Sequence, residues 1–351
     1  MKIRFNRDYL LSLIAVILGL IAGAILMIVT NNNPFEGYNY LFRGGTMNMQ
    51  RIGNTIATAT PLIFAGLSVT FAFRTGLFNI GASGQMLIGG LCATAIALNV
   101  SLPKILLLPL MIIVAFIAGG LWGSIAGFLK AKFNVHEVVA TIMLNWIAYW
   151  TVYYMVPLYL KAEFLETESR RIPSEASLRI EWLRDFFDGS YINLGIVLAI
   201  IVAIIVAFIL DKTTLGYELK AVGYNRTAAE TAGIDVNRNI MLSMGIAGGL
   251  AGLAGLSLYA GIATNMQIGV LPMQGFDGIA VSLLGANSPL GVFFAAIFFG
   301  LLHSGKGFMT AMTGIPPEIA DTIIATIIYF AATSVVVDRF LENRRKRRET
   351  K

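Results

Sequence analysis

Long apolar runs separated by short polar segments recur along the whole chain. Ten of them read as membrane-spanning helices, at about 9–29, 54–73, 80–98, 105–129, 138–160, 192–210, 240–263, 268–286, 290–308 and 319–337, because a helix needs about 20 apolar residues to cross a bilayer. The third and eighth are the weakest, short in apolar length and interrupted by glycine or proline. The pattern predicts an all-α, polytopic membrane protein forming a single transmembrane domain. A polar stretch at 161–191 divides it into a first half, 9–160, and a second half, 192–337. Five spans per half force the halves into opposite orientations, the arithmetic of inverted-topology repeats. The two interrupted spans then hold matching third places, a pairing that points to a translocation path.

Composition supports the membrane reading. The chain is 56% hydrophobic and only 13% charged, against about 25% charged residues in a soluble domain. Of its 36 glycines, Gly119, Gly123 and Gly127 recur every four residues, as do the pairs Gly245/Gly249 and Gly248/Gly252. Small residues at that spacing let helix backbones approach closely in lipid. The single cysteine, Cys92, excludes an intrachain disulfide.

The net charge of +6 is concentrated at the two ends, in Lys2, Arg4 and Arg7 and in the 338–351 tail with Arg344, Arg345, Lys346, Arg347 and Arg348. Basic residues flanking the first and last spans follow the positive-inside rule and predict cytoplasmic N- and C-termini, not a nucleic-acid partner. Lys130, Lys132, Lys212, Lys220, Arg226 and Arg238 then also fall inside, whereas Arg43 and Arg51 fall outside and disagree. The 161–191 loop falls outside, with seven acidic residues against five basic ones. Its Trp182, Phe186 and Phe187 predict a short interfacial helix. The N-terminal run lacks a small-residue cleavage site and reads as a span, not a signal peptide.

Polar groups inside spans are costly and therefore informative. Asn79, Ser83 and Gln85 lie in the third span, Asn145 and Trp146 in the fifth beside Tyr149, and Asp277 in the eighth. They are candidates to line a translocation path, or they pack helices together; Asp277 either meets a ligand or caps its broken helix. Glu137, Lys306 and Asp321 sit where they can reach an interface. His136 and His303 lack metal-ligand spacing, and no catalytic constellation is visible. The run from Gly300 to Gly307 matches a phosphate-binding loop until its last position, where Gly307 stands in place of the required Ser or Thr; it also ends an apolar helix instead of following a strand. No ATP site is expected in this chain.

The 211–239 loop carries the segment from Gly216 to Ile234. Thr227 and Glu230 have capping-box spacing, Ala228, Ala229 and Ala232 keep the turn thin, and Gly233 can close it in the left-handed conformation. The G-x-N-x-x-x-A-x-x-x-G spacing of Gly223, Asn225, Ala229 and Gly233 resembles the coupling loop of ABC-importer permeases, and Phe73–Gly90 resembles the same group. That family includes permeases for branched-chain amino acids, ribose-type sugars and nucleosides; over about 54–337 the chain is most similar to the bacterial nucleoside (Bmp-type) branch.

The resemblance implies a multi-pass permease subunit of the bacterial plasma membrane, without enzymatic activity of its own. A cytosolic ABC ATPase would bind at Gly223, Asn225, Thr227, Ala228, Ala229, Glu230, Ala232 and Gly233. ATP and magnesium would belong to that partner, with no cofactor in this chain. A second permease subunit, identical or different, would complete the pathway, and an extracytoplasmic lipoprotein or soluble binding protein would deliver the nucleoside. A flat base suits aromatic stacking and amide hydrogen bonds, whereas an amino acid would need groups for its ammonium and carboxylate. The alternatives are a simple sugar or branched-chain amino acid as substrate, or an ion-coupled secondary transporter built on Asp277 and Asp321.

Overall fold

The computed structural model describes the backbone from Lys2 to Glu349 and the side chains from Leu10 to Thr333. The basic clusters at both ends and Thr350 lie outside the described side chains. Among the described residues the fold is helical, with isolated bridges in place of strands. In chain order the helices are α1 (Lys2–Val29), α2 (Pro34–Thr46), α3 (Met49–Arg74), α4 (Ala82–Asn99), α5 (Lys104–Phe133), α6 (Glu137–Met155), α7 (Glu181–Phe186), α8 (Gly195–Lys212), α9 (Thr214–Tyr224), α10 (Arg226–Thr231), α11 (Val236–Leu256), α12 (Gln274–Leu284), α13 (Pro289–Thr313) and α14 (Pro317–Glu349). Two π-helical segments, Val156–Leu160 and Ser257–Ala263, continue α6 and α11.

Eight helices among the described residues are long and apolar enough to cross a membrane. The predicted eighth span, 268–286, is not a continuous helix: an irregular stretch leads into α12, whose 11 residues rise only about 16 Å, roughly half the hydrocarbon thickness. The interruption expected in the third span falls at 76–81, before α4 begins. Two helices were not anticipated, α2 and α9. α2 starts where Asn33 accepts a hydrogen bond from the Phe35 N–H at 3.0 Å and Pro34 occupies the first position, a cap and proline combination legible in the sequence.

Burial sorts the helices into layers. The most apolar windows of α3 and of α11 with its π segment are 83% and 78% buried, against 22% for α1, α5 and α8. α3, α4 and α11 therefore form the centre, and the apolar outer faces of α1, α5 and α8 are suited to lipid. α11 lies along α5 and α4, and the glycine spacings explain how. A Cβ on Gly119 would come within 2.8 Å of the Gly252 Cα, and one on Gly123 within 2.9 Å of the Gly248 Cα. The backbones themselves are in contact. Gly252→Val would drive a branched side chain into the Ala115 carbonyl, where no flexible group can yield. Overpacking costs about 1–3 kcal/mol even where side chains can shift. We expect membrane abundance of this variant to fall at least several-fold on immunoblots; wild-type abundance would contradict a backbone-to-backbone seam.

The bundle has two distinct ends. At one, α9 and α10 form a polar helical pair beside the start of α11. At the other, the 161–194 segment, with α7 where the aromatic residues predicted a short helix, straps the π-helical turn of α11. The Leu178 N–H donates to the Ala260 carbonyl at 3.0 Å, the Ile172 N–H to the Thr264 carbonyl at 2.8 Å, and Arg179 Nε to the Gly261 carbonyl at 2.8 Å. The Arg179 guanidinium also reaches the Ile262 carbonyl, and burial lowers its pKa from the ordinary arginine value. A π-helix shifts hydrogen bonding by one residue, and the strap satisfies carbonyls at its end.

Candidate translocation and coupling site

α10 is a single short helix held by its own polar ends. The Asn225 side chain accepts from the Ala228 N–H at 3.1 Å. This corrects the expected Thr227–Glu230 capping box: Asn225 is extended, at φ −159° and ψ 109°, and takes the cap, so the helix starts at Arg226 and Thr227 lies inside it. Asn caps as well as Ser or Thr does. Gly233 closes the helix at φ +83°, with the Ile234 N–H donating to the Ala229 carbonyl at 3.0 Å. Ala229 is buried with Val222 and Ile240 in a small apolar cluster that also includes Ala72 and Leu77. Tyr224, Thr227, Ala228 and Glu230 are exposed, Tyr224 by 89%. Ala232 is exposed at the C-cap.

Gly223 connects this pair to the centre. A Cβ there would lie 2.5 Å from the Arg74 carbonyl and 3.0 Å from the Gly76 N–H nitrogen. Gly76 is left-handed at φ +69°, and a Cβ on it would meet the Gly223 carbonyl at 3.2 Å. The end of α9 thus rests directly on the backbone that turns from α3 into the irregular 76–81 stretch. Arg74 locks the same corner by donating from Nε and Nη2 to the Asn287 carbonyl at 3.1 and 2.8 Å. Thr75 donates to Ser243 at 2.7 Å, and the Thr70 and Ser282 hydroxyls lie 2.7 Å apart.

Four predicted path residues meet just beyond that corner. Asn79 and Gln85 form a reciprocal amide pair, with bonds of 2.9 and 3.1 Å, and Asn79 also accepts from the Gly81 N–H at 3.0 Å. Asn145 donates to the Ile80 carbonyl at 2.9 Å and accepts from the Gly84 N–H at 2.8 Å. Ser83 donates to the Pro272 carbonyl at 2.8 Å, which ties the start of α4 to the residue two before α12. All four side chains are buried. Asn79 and Asn145 bond backbone groups of the irregular turn before α4 and of the first turn of the helix, a requirement inside a membrane.

The other two stand apart. Trp146 projects from α6, 51% exposed, in edge contact with Tyr149 at 5.6 Å between ring centres. Asp277 faces His303 of α13, Oδ2 to Nε2 at 3.2 Å, without hydrogen-bond geometry, so the buried His303 Nε2 has no hydrogen-bond partner among the described residues. His136 instead caps α6. Glu137 pairs with Lys130 at 3.0 Å, and Lys306 with Asp321 at 2.8 Å. The phosphate-loop look-alike at 300–307 is continuous helix within α13. Arg74, Thr75, Ser243, Ser282 and Asn287 were missed as site residues. Their only sequence signal was polarity at span ends, shared with many unpaired positions.

Comparison with known proteins agrees with this architecture. Residues 51–332 match the family described as branched-chain amino acid transport system / permease component. The chain is 44% identical over 340 residues to the guanosine ABC transporter permease protein NupP of Bacillus subtilis, covering 97% of each chain. It is 40% identical to the nucleoside ABC transporter permease protein NupB of Lactococcus lactis, covering 96% of this chain and 94% of that one. Identity to the glucose ABC transporter permease protein TsgB13 of Haloferax volcanii is 30%, over 93% and 88% of the two chains. No solved structure matches. The chain belongs to the family of ABC-transporter permease components that its matched core and its near full-length relatives define.

Proposed function

We propose that this chain forms the translocation path of an ABC importer for nucleosides. The observation that carries the substrate is the near full-length identity to a guanosine permease and a nucleoside permease, well above that to a glucose permease. The partners follow the same reading. A cytosolic ATPase, holding ATP and magnesium, docks on the exposed face of α10 around Tyr224, Thr227 and Glu230, while Ala229 and Gly233 set the helix in place. A second permease subunit lies alongside, and an extracytoplasmic binding protein docks on the α7 end. There a cleft of about 910 Å³ is lined by Arg171, Arg184, Glu175, Glu181 and Trp182, giving a charged surface suited to a transient protein partner. The two five-span halves are inverted repeats, and α12 with the interrupted start of α4 are their corresponding third members.

In this mechanism, ATP-driven approach of the ATPases moves α10. Gly223 transmits the movement to the 75–81 turn, and the Asn79, Gln85 and Asn145 node carries it to α4 and, through Ser83 and Pro272, to α12. Such a chain of backbone contacts and satisfied hydrogen bonds is a physical route for coupling.

Uptake of labelled guanosine in cells expressing the transporter tests the class and substrate together. Uptake should persist with a protonophore while ATP is maintained and stop when ATP is depleted; the opposite pattern would point to ion coupling. Orientation has its own test. In a Cys92→Ser background, Ser174→Cys should react with an impermeant thiol reagent on intact cells and Thr350→Cys only after permeabilisation. The reverse labelling would invert the assignment.

A further inference from the structure

Where the irregular stretch from Thr264 descends toward α12, a cavity of about 450 Å³ opens beside the π-helical turn of α11. Its volume lies within the range of about 300–1,000 Å³ common to small-molecule sites. Tyr259 lines it from the π-helical segment, Gln267 from the irregular stretch and Gln274 from the first position of α12, with Leu258, Val270 and Met273 as apolar wall. Tyr259 is 7% exposed. Its ring lies on Gly90 of α4, where any Cβ would displace it. Its hydroxyl has no hydrogen-bond partner among the described residues, and neither have the side-chain amides of Gln267 and Gln274. The hydroxyl is not sealed in the core: like the exposed Gln267 and the half-exposed Gln274, it opens into the cavity, where an occupant can reach it.

We propose that this cavity is where the transported nucleoside contacts the permease, with the Tyr259 hydroxyl and the Gln267 and Gln274 amides as its hydrogen-bonding groups; this rests on the nucleoside reading above. The cavity lining includes no acidic or basic side chain. A zwitterionic amino acid or a phosphorylated nucleotide would find no counter-charge in this lining. A neutral nucleoside offers a flat apolar face to Leu258, Val270 and Met273 and polar edges to the three free groups. Amides both donate and accept, which suits contact with different bases. The neighbouring Asn265 is not free in this way, because its amide donates to Glu168 at 2.7 Å. The floor of the cavity is Pro272, the residue whose carbonyl holds Ser83. An occupant would therefore sit against the strand of contacts that leads back to α10.

The test uses the complete transporter, with its ATPase and binding protein, in proteoliposomes. Val270 is 53% exposed and faces the cavity; in a Cys92→Ser background, alkylation of Val270→Cys by N-ethylmaleimide should slow at least several-fold with saturating guanosine. Leucine and glucose should give no protection. Tyr259→Phe keeps the ring on Gly90 and removes only the hydroxyl. Guanosine uptake per assembled complex should fall about three- to tenfold, the effect of one hydrogen bond, and the preference between guanosine and 2′-deoxyguanosine or inosine should change. Unprotected alkylation, or Tyr259→Phe with wild-type uptake and preference, would overturn the site while leaving the transporter a nucleoside importer. A wild-type transporter that takes up no nucleoside would overturn both readings.

Discussion

Gly223→Val should reduce uptake at least tenfold per assembled complex while the helical bundle remains in the membrane. The glycine lies where the end of α9 meets the turn out of α3. A Cβ would fall 2.5 Å from the Arg74 carbonyl and 3.0 Å from the carbonyl carbon of Thr75. Both neighbours are backbone, and Arg74 is itself anchored to Asn287. The strain can be relieved only by lifting α9 and α10 away from α3. Overpacking of this kind costs about 1–3 kcal/mol, too little to unfold the buried centre but enough to unseat a short polar helical pair at the surface. Gly223→Ala should give an intermediate loss, because the Cβ alone already makes the close approach. Uptake, membrane abundance and ATPase association measured on the same samples separate the outcomes. Wild-type uptake by Gly223→Val would show that the α9–α3 contact does not transmit movement.

Asn145→Leu should destabilise the protein more than any polar-to-apolar change on the exposed α10 face. The substitution is close in size and adds hydrophobicity to a membrane helix, so a hydropathy argument predicts little harm or even a gain. The hydrogen bonds predict the opposite. Leucine leaves the Ile80 carbonyl and the Gly84 N–H without partners. Each stranded buried backbone group costs about 1–3 kcal/mol, together about 2–6 kcal/mol, with no water in the bilayer core to replace the amide. The apparent melting temperature of purified protein should fall by many degrees, and abundance should fall with it. Asn145→Gln should not rescue it, because a Cβ on Gly84 would already lie 2.8 Å from the Asn145 Cα, leaving no room for a longer side chain. An unchanged melting temperature for Asn145→Leu would mean that the interrupted start of α4 finds its hydrogen bonds elsewhere.

How much of this could be read before the structure depended on the range of the interaction. The apolar runs alone determined the membrane character and helical class, since span length and helical hydrogen bonding are properties of consecutive residues. The four-residue glycine spacing on α5 and on α11 determined that each had a face for close packing. The glycines of the third span do not break α4, and the irregularity there lies before the helix, at 75–81, whereas the irregular stretch before α12 was legible because glycine and proline disrupt a helix locally. Closure of α10 at Gly233 was legible for the same reason. Its cap was misplaced because Asn225 and Thr227 are both good capping residues, and only the extended backbone at Asn225 decides between them.

Tertiary structure alone decided the partners. The Gly84 N–H lies 61 positions from Asn145, Ser83 lies 189 from the Pro272 carbonyl, and Thr70 lies 212 from Ser282. No periodicity or propensity links residues that far apart. The same limit applies to burial: Ala229 carries the family-like spacing, yet it seats α10 from within, while Tyr224 beside it is exposed. It applies also to Tyr259, which reads as one more aromatic residue at the end of an apolar run until the π-helical turn and the descent to α12 leave its hydroxyl beside a cavity without a partner. Hydrophobicity is additive along a chain and can be summed from sequence. A hydrogen bond requires two groups at one place and one angle, and in this protein the folded arrangement of α3, α4, α6, α11 and α12 supplies that place.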